Sequence, residues 1–293
     1  MTEKYIYYAL GANLSFALGA MFFAHYTRKF SSLWMNTYKA VVAAILFFVV
    51  IIFTTGFHEI SIFNFGIFFI SGFIALGIGD IYLLKALSVL GPARTMVLFG
   101  FQPLVVGVLS FILLEQAVQE SKLIGIIFFI LCLLTFSYEN FKNKGHWEIQ
   151  GLLYACLAMV IDGVGIIITR LAFDMNELLT GFEGNFYRCI GALFAYLIIS
   201  RYRPFDFRAN FKSLNWNSRY VVTLGAIFGT FLSLAFYLEA IKTAHLATLS
   251  GIAITSVIFT SLFESILEKK LPSKYLLGAF VFFIIGMKFI LFS

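Results

Sequence analysis

The sequence predicts an all-α integral membrane protein with ten transmembrane helices, arranged as two inverted-topology five-helix repeats. Three observations carry that prediction. Hydrophobic residues fill 61% of the 293 positions and charged residues only 12%, with a mean hydropathy of +0.93; soluble chains hold roughly 45–50% and about 25%. The apolar positions gather into runs close to the roughly 20 residues that a helix needs to cross a bilayer. Several short patterns also recur, in the same order, in the two halves of the chain.

The runs follow one another through short connectors. Segment 1 (5–26) is too long for the core of a signal peptide and lacks its small-residue cleavage site. Segment 2 (33–54) follows the basic connector Arg28–Ser32 and has Lys39 set near its start. Segment 3 (62–86) contains Gly77, Gly79 and Asp80, and segment 4 (93–114) opens after Gly91-Pro92 and holds Gln102 and Pro103. Segment 5 (121–139) closes a first repeat, residues 1–143. The second repeat, 144–293, comprises segment 6 (148–172, with Asp162), segment 7 (184–200, with Arg188), segment 8 (219–241, with Tyr237), segment 9 (246–267) and segment 10 (273–292). The largest connector, between segments 7 and 8, is basic and aromatic and is read as a headgroup-facing loop.

The net charge of +6 is no nucleic-acid signal, because the cations sit in short connectors and form no basic tract. Lysines and arginines concentrate after segments 1, 3, 5, 7 and 9. The positive-inside rule then places these odd-numbered connectors in the cytoplasm and both termini outside. Cys132, Cys156 and Cys189 all fall in apolar runs without a CxxC partner, so neither a disulfide nor a metal site is implied. His25, His58, His146 and His245 lie near segment ends without metal-ligand spacing.

The repeat rests on five matches. Asn36-Thr37-Tyr38-Lys39 corresponds to Asn185-Phe186-Tyr187-Arg188, and Thr27-Arg28 to Thr169-Arg170. Lys85-Ala86-Leu87 corresponds to Glu239-Ala240-Ile241, Leu114-Glu115 to Leu267-Glu268, and Leu123-Ile124-Gly125 to Leu276-Leu277-Gly278. Five helices is an odd number, so the second copy inserts upside down. Such inverted repeats commonly hold a substrate site near the bilayer midplane.

The run from Gly77 through Asp80, Ala86-Leu87 and Gly91-Pro92-Ala93, followed by Pro103 and Leu114-Glu115, resembles the drug/metabolite transporter superfamily, in particular its ten-helix EamA-type members. The second half keeps Glu239-Ala240-Ile241 and Leu267-Glu268 but has Val257 where the proline would fall. The resemblance implies a secondary transporter that moves small organic metabolites by alternating access, often outward and often coupled to protons. It places Lys39 and Arg188 where such repeats often carry an arginine. Gly77, Gly79, Gly91, Pro92 and Pro103 match the family's helix 3–4 region as hinge and packing positions.

Ionisable residues inside a membrane span are functional candidates by default, since burying one costs roughly 3 kcal/mol or more. Lys39 and Arg188 are read as binding an anionic substrate group, with snorkelling to the headgroups as the alternative. Asp80 and Asp162 are read as proton-coupling or amino-group sites, because low dielectric favours a protonated carboxyl; a structural ion pair with one of the cations is the alternative. Tyr38, Tyr187, Asn13, Phe16, Gln102 and Tyr237 complete the candidate cavity lining. Mixed charge favours zwitterionic or amphipathic solutes such as amino acids.

No catalytic residue, cofactor or metal is assigned. No P-loop, HExxH or nucleophile elbow is present, so neither ATP-driven pumping nor metalloprotease chemistry has support. The competing reading is an integral-membrane enzyme acting on a lipid or other small substrate. Expected partners are a small-molecule substrate and membrane lipid, with no nucleic acid. The oligomeric state is left open, monomer included, and the bacterial inner (cytoplasmic) membrane is the expected location.

Overall fold

A computed structural model describes residues 4–102, 104–105, 120–144, 148–243, 254–269 and 271–291. All regular structure among the described residues is helical. The elements are α1 (Lys4–Lys29), α2 (Ser32–Phe53), α3 (Ile62–Leu90), α4 (Pro92–Phe99), α5 (Glu120–Lys144), α6 (Ile149–Met175), α7 (Gly181–Tyr202) and α8 (Phe207–Lys212). The remainder are α9 (Trp216–Ala226, continuing through Ser233–Thr243), α10 (Ile254–Glu268) and α11 (Lys274–Leu291). Five of them, α1, α2, α3, α6 and α9, are long and apolar enough to cross a membrane. Among the described residues, α8 is an addition to the expected elements and makes the basic-aromatic connector a structured segment.

Connector chemistry starts the helices. Ser31 Oγ accepts from Trp34 N (3.0 Å), Ser61 Oγ from Asn64 N (3.1 Å), and Asn215 Oδ1 from Ser218 N (2.8 Å). Each satisfies one of the amides that a helix N-terminus leaves open. Thr180 and Glu183 form a reciprocal capping box at the start of α7. Between α3 and α4 the chain turns at Gly91, whose φ of +90° lies in the left-handed region. Pro92 then opens α4, where its missing N–H is no loss.

Helix faces are sorted by what surrounds them. On α2, Asn36, Lys39, Ala43, Phe47 and Ile51 are buried, while Ile45, Phe48, Val49 and Ile52 are exposed. One apolar stripe points outward, as suits a lipid-facing surface, and the polar Asn36 and Lys39 point into the bundle with Ala43, Phe47 and Ile51.

The halves pack by exchange. α1 lies on α9 as α6 lies on α3, and α2 lies on α9 as α7 lies on α3. The α5 helix pairs with α11. Both α3 and α9 carry a π-helical stretch, Gly72–Gly79 and Ile227–Leu232, each at the crossing with helices of the opposite half. Backbones meet closely there. A Cβ on Gly72 would lie 2.0 Å from the Arg188 carbonyl oxygen, and one on Gly19 would lie 2.1 Å from Gly229 Cα. Gly72→Val should therefore separate α3 from α7 and destabilise the fold by more than about 3 kcal/mol. Thermal unfolding of the purified variant measures this, and a wild-type midpoint would contradict the close contact.

Candidate functional site

Lys39 is the eighth residue of the 22-residue α2, and Arg188 is the eighth of the 22-residue α7. At about 1.5 Å per residue each cation lies roughly 10 Å along its helix. Both are buried, with 3% and 2% exposure. Lys39 does not reach for the headgroups: Nζ donates to Asp80 Oδ2 at 2.5 Å and lies 5.1 Å over the Phe23 ring of α1. Asp80 is the first residue after the π stretch of α3, with 13% side-chain exposure. The ion-pair alternative for Asp80 thus describes its place in this structure.

Arg188 has no such partner. Its Nε is buried without a hydrogen bond, and no carboxylate stands within ion-pair distance of the guanidinium among the described residues. Asp162 and Asp80 attract it only at longer range. The cause can be read from the two π stretches. Asp80 directly follows the first and Ser233 the second, while the match of Lys85 with Glu239 sets Asp80 opposite Leu234; neither Ser233 nor Leu234 is acidic. Ser233 Oγ turns back to its own helix, to Gly229 O at 2.8 Å. The cation is present in both halves, whereas the acid is present in only one.

Asp162 on α6 is partly exposed and accepts from Gln102 Nε2 at 2.6 Å. Asp162 lies within electrostatic range of Asp80, Arg188 and Lys39. Tyr237, on α9, interacts with the charges of Asp162 and Arg188. Asn13 Nδ2 donates to Thr255 Oγ1 at 2.9 Å, tying α1 to α10. Phe16 packs on the edge of Phe23, beside Lys39.

The paired tyrosines sit in aromatic packing. Tyr38 stacks on Trp34 (5.4 Å between centroids), and its hydroxyl bonds Thr223 Oγ1 at 2.7 Å. Tyr187 lies among Phe57, Phe65 and Phe68. The paired asparagines differ: Asn185 Nδ2 donates to Leu234 O at 2.8 Å, while both amide atoms of Asn36 are buried without a partner. Gly77 faces Ala195 and Gly79 faces Ile161, so these glycines serve helix contacts. Gly91 and Pro92 form the α3–α4 turn, where Ala93 N donates to Glu264 Oε2 at 2.6 Å. Pro103 lies outside the described residues.

Three features escape a reading by composition. The π stretches leave no pattern of their own. Phe23, under Lys39, is one of 37 phenylalanines. Glu183 is fully buried, accepting from Thr180 N and Oγ1 (both 2.9 Å), His58 N (2.7 Å) and His58 Nδ1 (2.9 Å); the Thr180-x-x-Glu183 spacing is the signal that could have found it.

The model for the EamA-like transporter family matches residues 3–138 and 149–292, which is nearly the whole chain in two successive copies. The chain belongs to the EamA-like transporter family. An EamA-like transporter is an integral membrane protein, which accounts for the lipid-facing apolar stripes and for ionisable residues held inside. No curated protein matches the sequence significantly. Among solved structures, one described only as "Crystal structure of protein" is similar to this EamA-like transporter with a TM-score of 0.65 at 13% identity. The match covers 96% of this chain and 94% of that one, a likeness of fold alone.

Proposed function

We propose that this chain is a secondary active transporter of zwitterionic or amphipathic organic metabolites, amino acids among them, working outward by alternating access and coupled to protons. The observation that carries the reading is Arg188: a guanidinium buried in a membrane bundle with Nε unpartnered. An unpaired buried charge is expensive, and a substrate carboxylate would supply the missing acceptors in bidentate form. Lys39 is neutralised by Asp80, so the anion-binding role expected of both cations falls to Arg188. Asp162, held by a neutral amide rather than a cation, is the acid left to take the substrate's amino group or the coupling proton.

The architecture behind this reading is ten spans in two inverted five-helix repeats. Its support is the exchanged packing of the halves, the π stretches in α3 and α9, and the repeated Asn-x-Tyr-cation pattern. The charge bias supports cytoplasmic odd-numbered connectors, and the bacterial inner membrane is the location we propose. An enzyme would need reactive groups converging on one face, and the repeat favours transport.

The test is counterflow and gradient-driven flux of labelled amino acids in proteoliposomes. With an imposed pH gradient, wild-type protein should accumulate solute above equilibrium, and Asp162→Asn should keep counterflow but lose the response to the gradient. A gradient response that survives in Asp162→Asn removes that residue from coupling.

A further inference from the structure

We propose that the basic-aromatic connector between α7 and α9 is a binding site for anionic phospholipid headgroups. It is a folded platform. Phe207 and Phe211 of α8 face inward, with Tyr38 of α2 stacked 6.2 Å from the first and 5.7 Å from the second. Trp34 Nε1 reaches the Phe207 carbonyl oxygen at 3.4 Å. Arg219 lies over Phe211 (5.0 Å) and donates from Nη2 to Lys212 O at 3.1 Å, clasping the end of α8. With the apolar side of α8 spent on the bundle, its charged side is left outside.

That side is strongly positive. Arg201, Arg203, Arg208 and Lys212 are exposed and form no ion pair among the described residues. The one acid in the connector, Asp206, is occupied as the N-cap of α8, accepting from Ala209 N at 2.8 Å. Lys85, near the C-terminal end of α3, lies over the Tyr82 and Tyr154 rings, at 5.4 and 5.0 Å. A shallow, open depression lined by Pro204, Phe205, Asp206, Phe207 and Arg208 lies on this surface. Tyr202 and Trp216, at the two ends of the connector, are 83% exposed each, the residue types that settle at headgroup depth.

The occupant that fits is a phosphodiester carried on a lipid. Its charge answers the cations, and its acyl chains run beside the exposed aromatic rings. Basic clusters at a membrane surface attract anionic lipid with about 1 kcal/mol per cation. Because α8 packs on Trp34 and Tyr38 of α2, and Tyr38 directly precedes Lys39, headgroup binding would brace the helix that carries the interior ion pair.

The test is thermal unfolding of the detergent-purified protein titrated with phosphatidylglycerol, phosphatidylcholine or inorganic phosphate. Phosphatidylglycerol should raise the midpoint saturably, and the other two should not. Arg203→Gln/Arg208→Gln/Lys212→Gln should weaken that response roughly 100-fold, with Arg203→Lys/Arg208→Lys/Lys212→Arg retaining it. Because all three side chains are exposed, the unliganded midpoint should hold; if the triple variant does not fold, single Arg208→Gln and Lys212→Gln substitutions should each lower the affinity severalfold. An equal rise with phosphatidylcholine would overturn the proposal, as would an equal rise with phosphate alone or an undiminished response in the glutamine variants.

Discussion

Arg188→Met abolishes transport in proteoliposomes, at least 100-fold below wild type, and leaves the protein no less stable than wild type. The two halves of this expectation have one cause. In the resting structure the guanidinium is desolvated, with Nε unpartnered. Methionine fills similar volume without that cost, and replacing buried charge by an apolar side chain of similar size is often neutral or stabilising. The same substitution removes the donors that a carboxylate would use. A charge-assisted bidentate interaction is roughly twice as strong as a neutral one, and a loss of about 3 kcal/mol corresponds to more than 100-fold in flux. Flux and thermal midpoint measured on one preparation check both parts. Full transport in Arg188→Met would sink the substrate-binding role, and a large fall in midpoint would assign Arg188 to structure.

The repeat-related lysine should behave in the opposite way. Lys39→Met leaves Asp80 inside the bundle without its counter-ion, and breaking a buried pair by removing one partner costs about 3–5 kcal/mol. Asp80→Asn, added to Lys39→Met, removes the orphaned charge and should recover most of that loss. The double-mutant cycle should return a coupling of at least about 2 kcal/mol, read from unfolding of the four proteins in the same detergent. A coupling near zero would mean that the 2.5 Å contact contributes nothing to the fold. Together the two substitutions separate cations that the sequence presents as equivalents.

That equivalence shows how far the sequence could be read. Membrane class and most helix positions follow from runs of apolar residues. These signals act within one helix, and one helix is what a sequence window sees. Lys39, Asp80, Asp162 and Arg188 stand out for a similar reason: each is a charge in an apolar run. An ion pair between an acid and a cation was foreseeable, but which acid meets which cation was not legible, because pairing is decided between helices. A π stretch adds rotation that the 3.6-residue period does not contain, so the direction of Asp80 beyond Gly72–Gly79 cannot be projected from the residues before it. Tyr38 and Tyr187 share a motif with the cations yet end in aromatic packing, since a tyrosine carries no charge that would exclude it from a core. α8 is six residues long, far below the length by which spans are recognised.

The π stretches of α3 and α9 also bear on how such a molecule can move. A π turn stores a surplus residue, and returning it to the α ladder, or passing it along, would turn the rest of the helix by about 100°. Hydrocarbon offers no water to an amide that loses its partner, so a helix embedded in it has few ways to bend. Slack carried inside the hydrogen-bond ladder is one of them: rotation is released while every backbone group stays satisfied. Each half keeps such a reserve in the helix that touches the other half's first helix, and α3 keeps its own directly before Asp80.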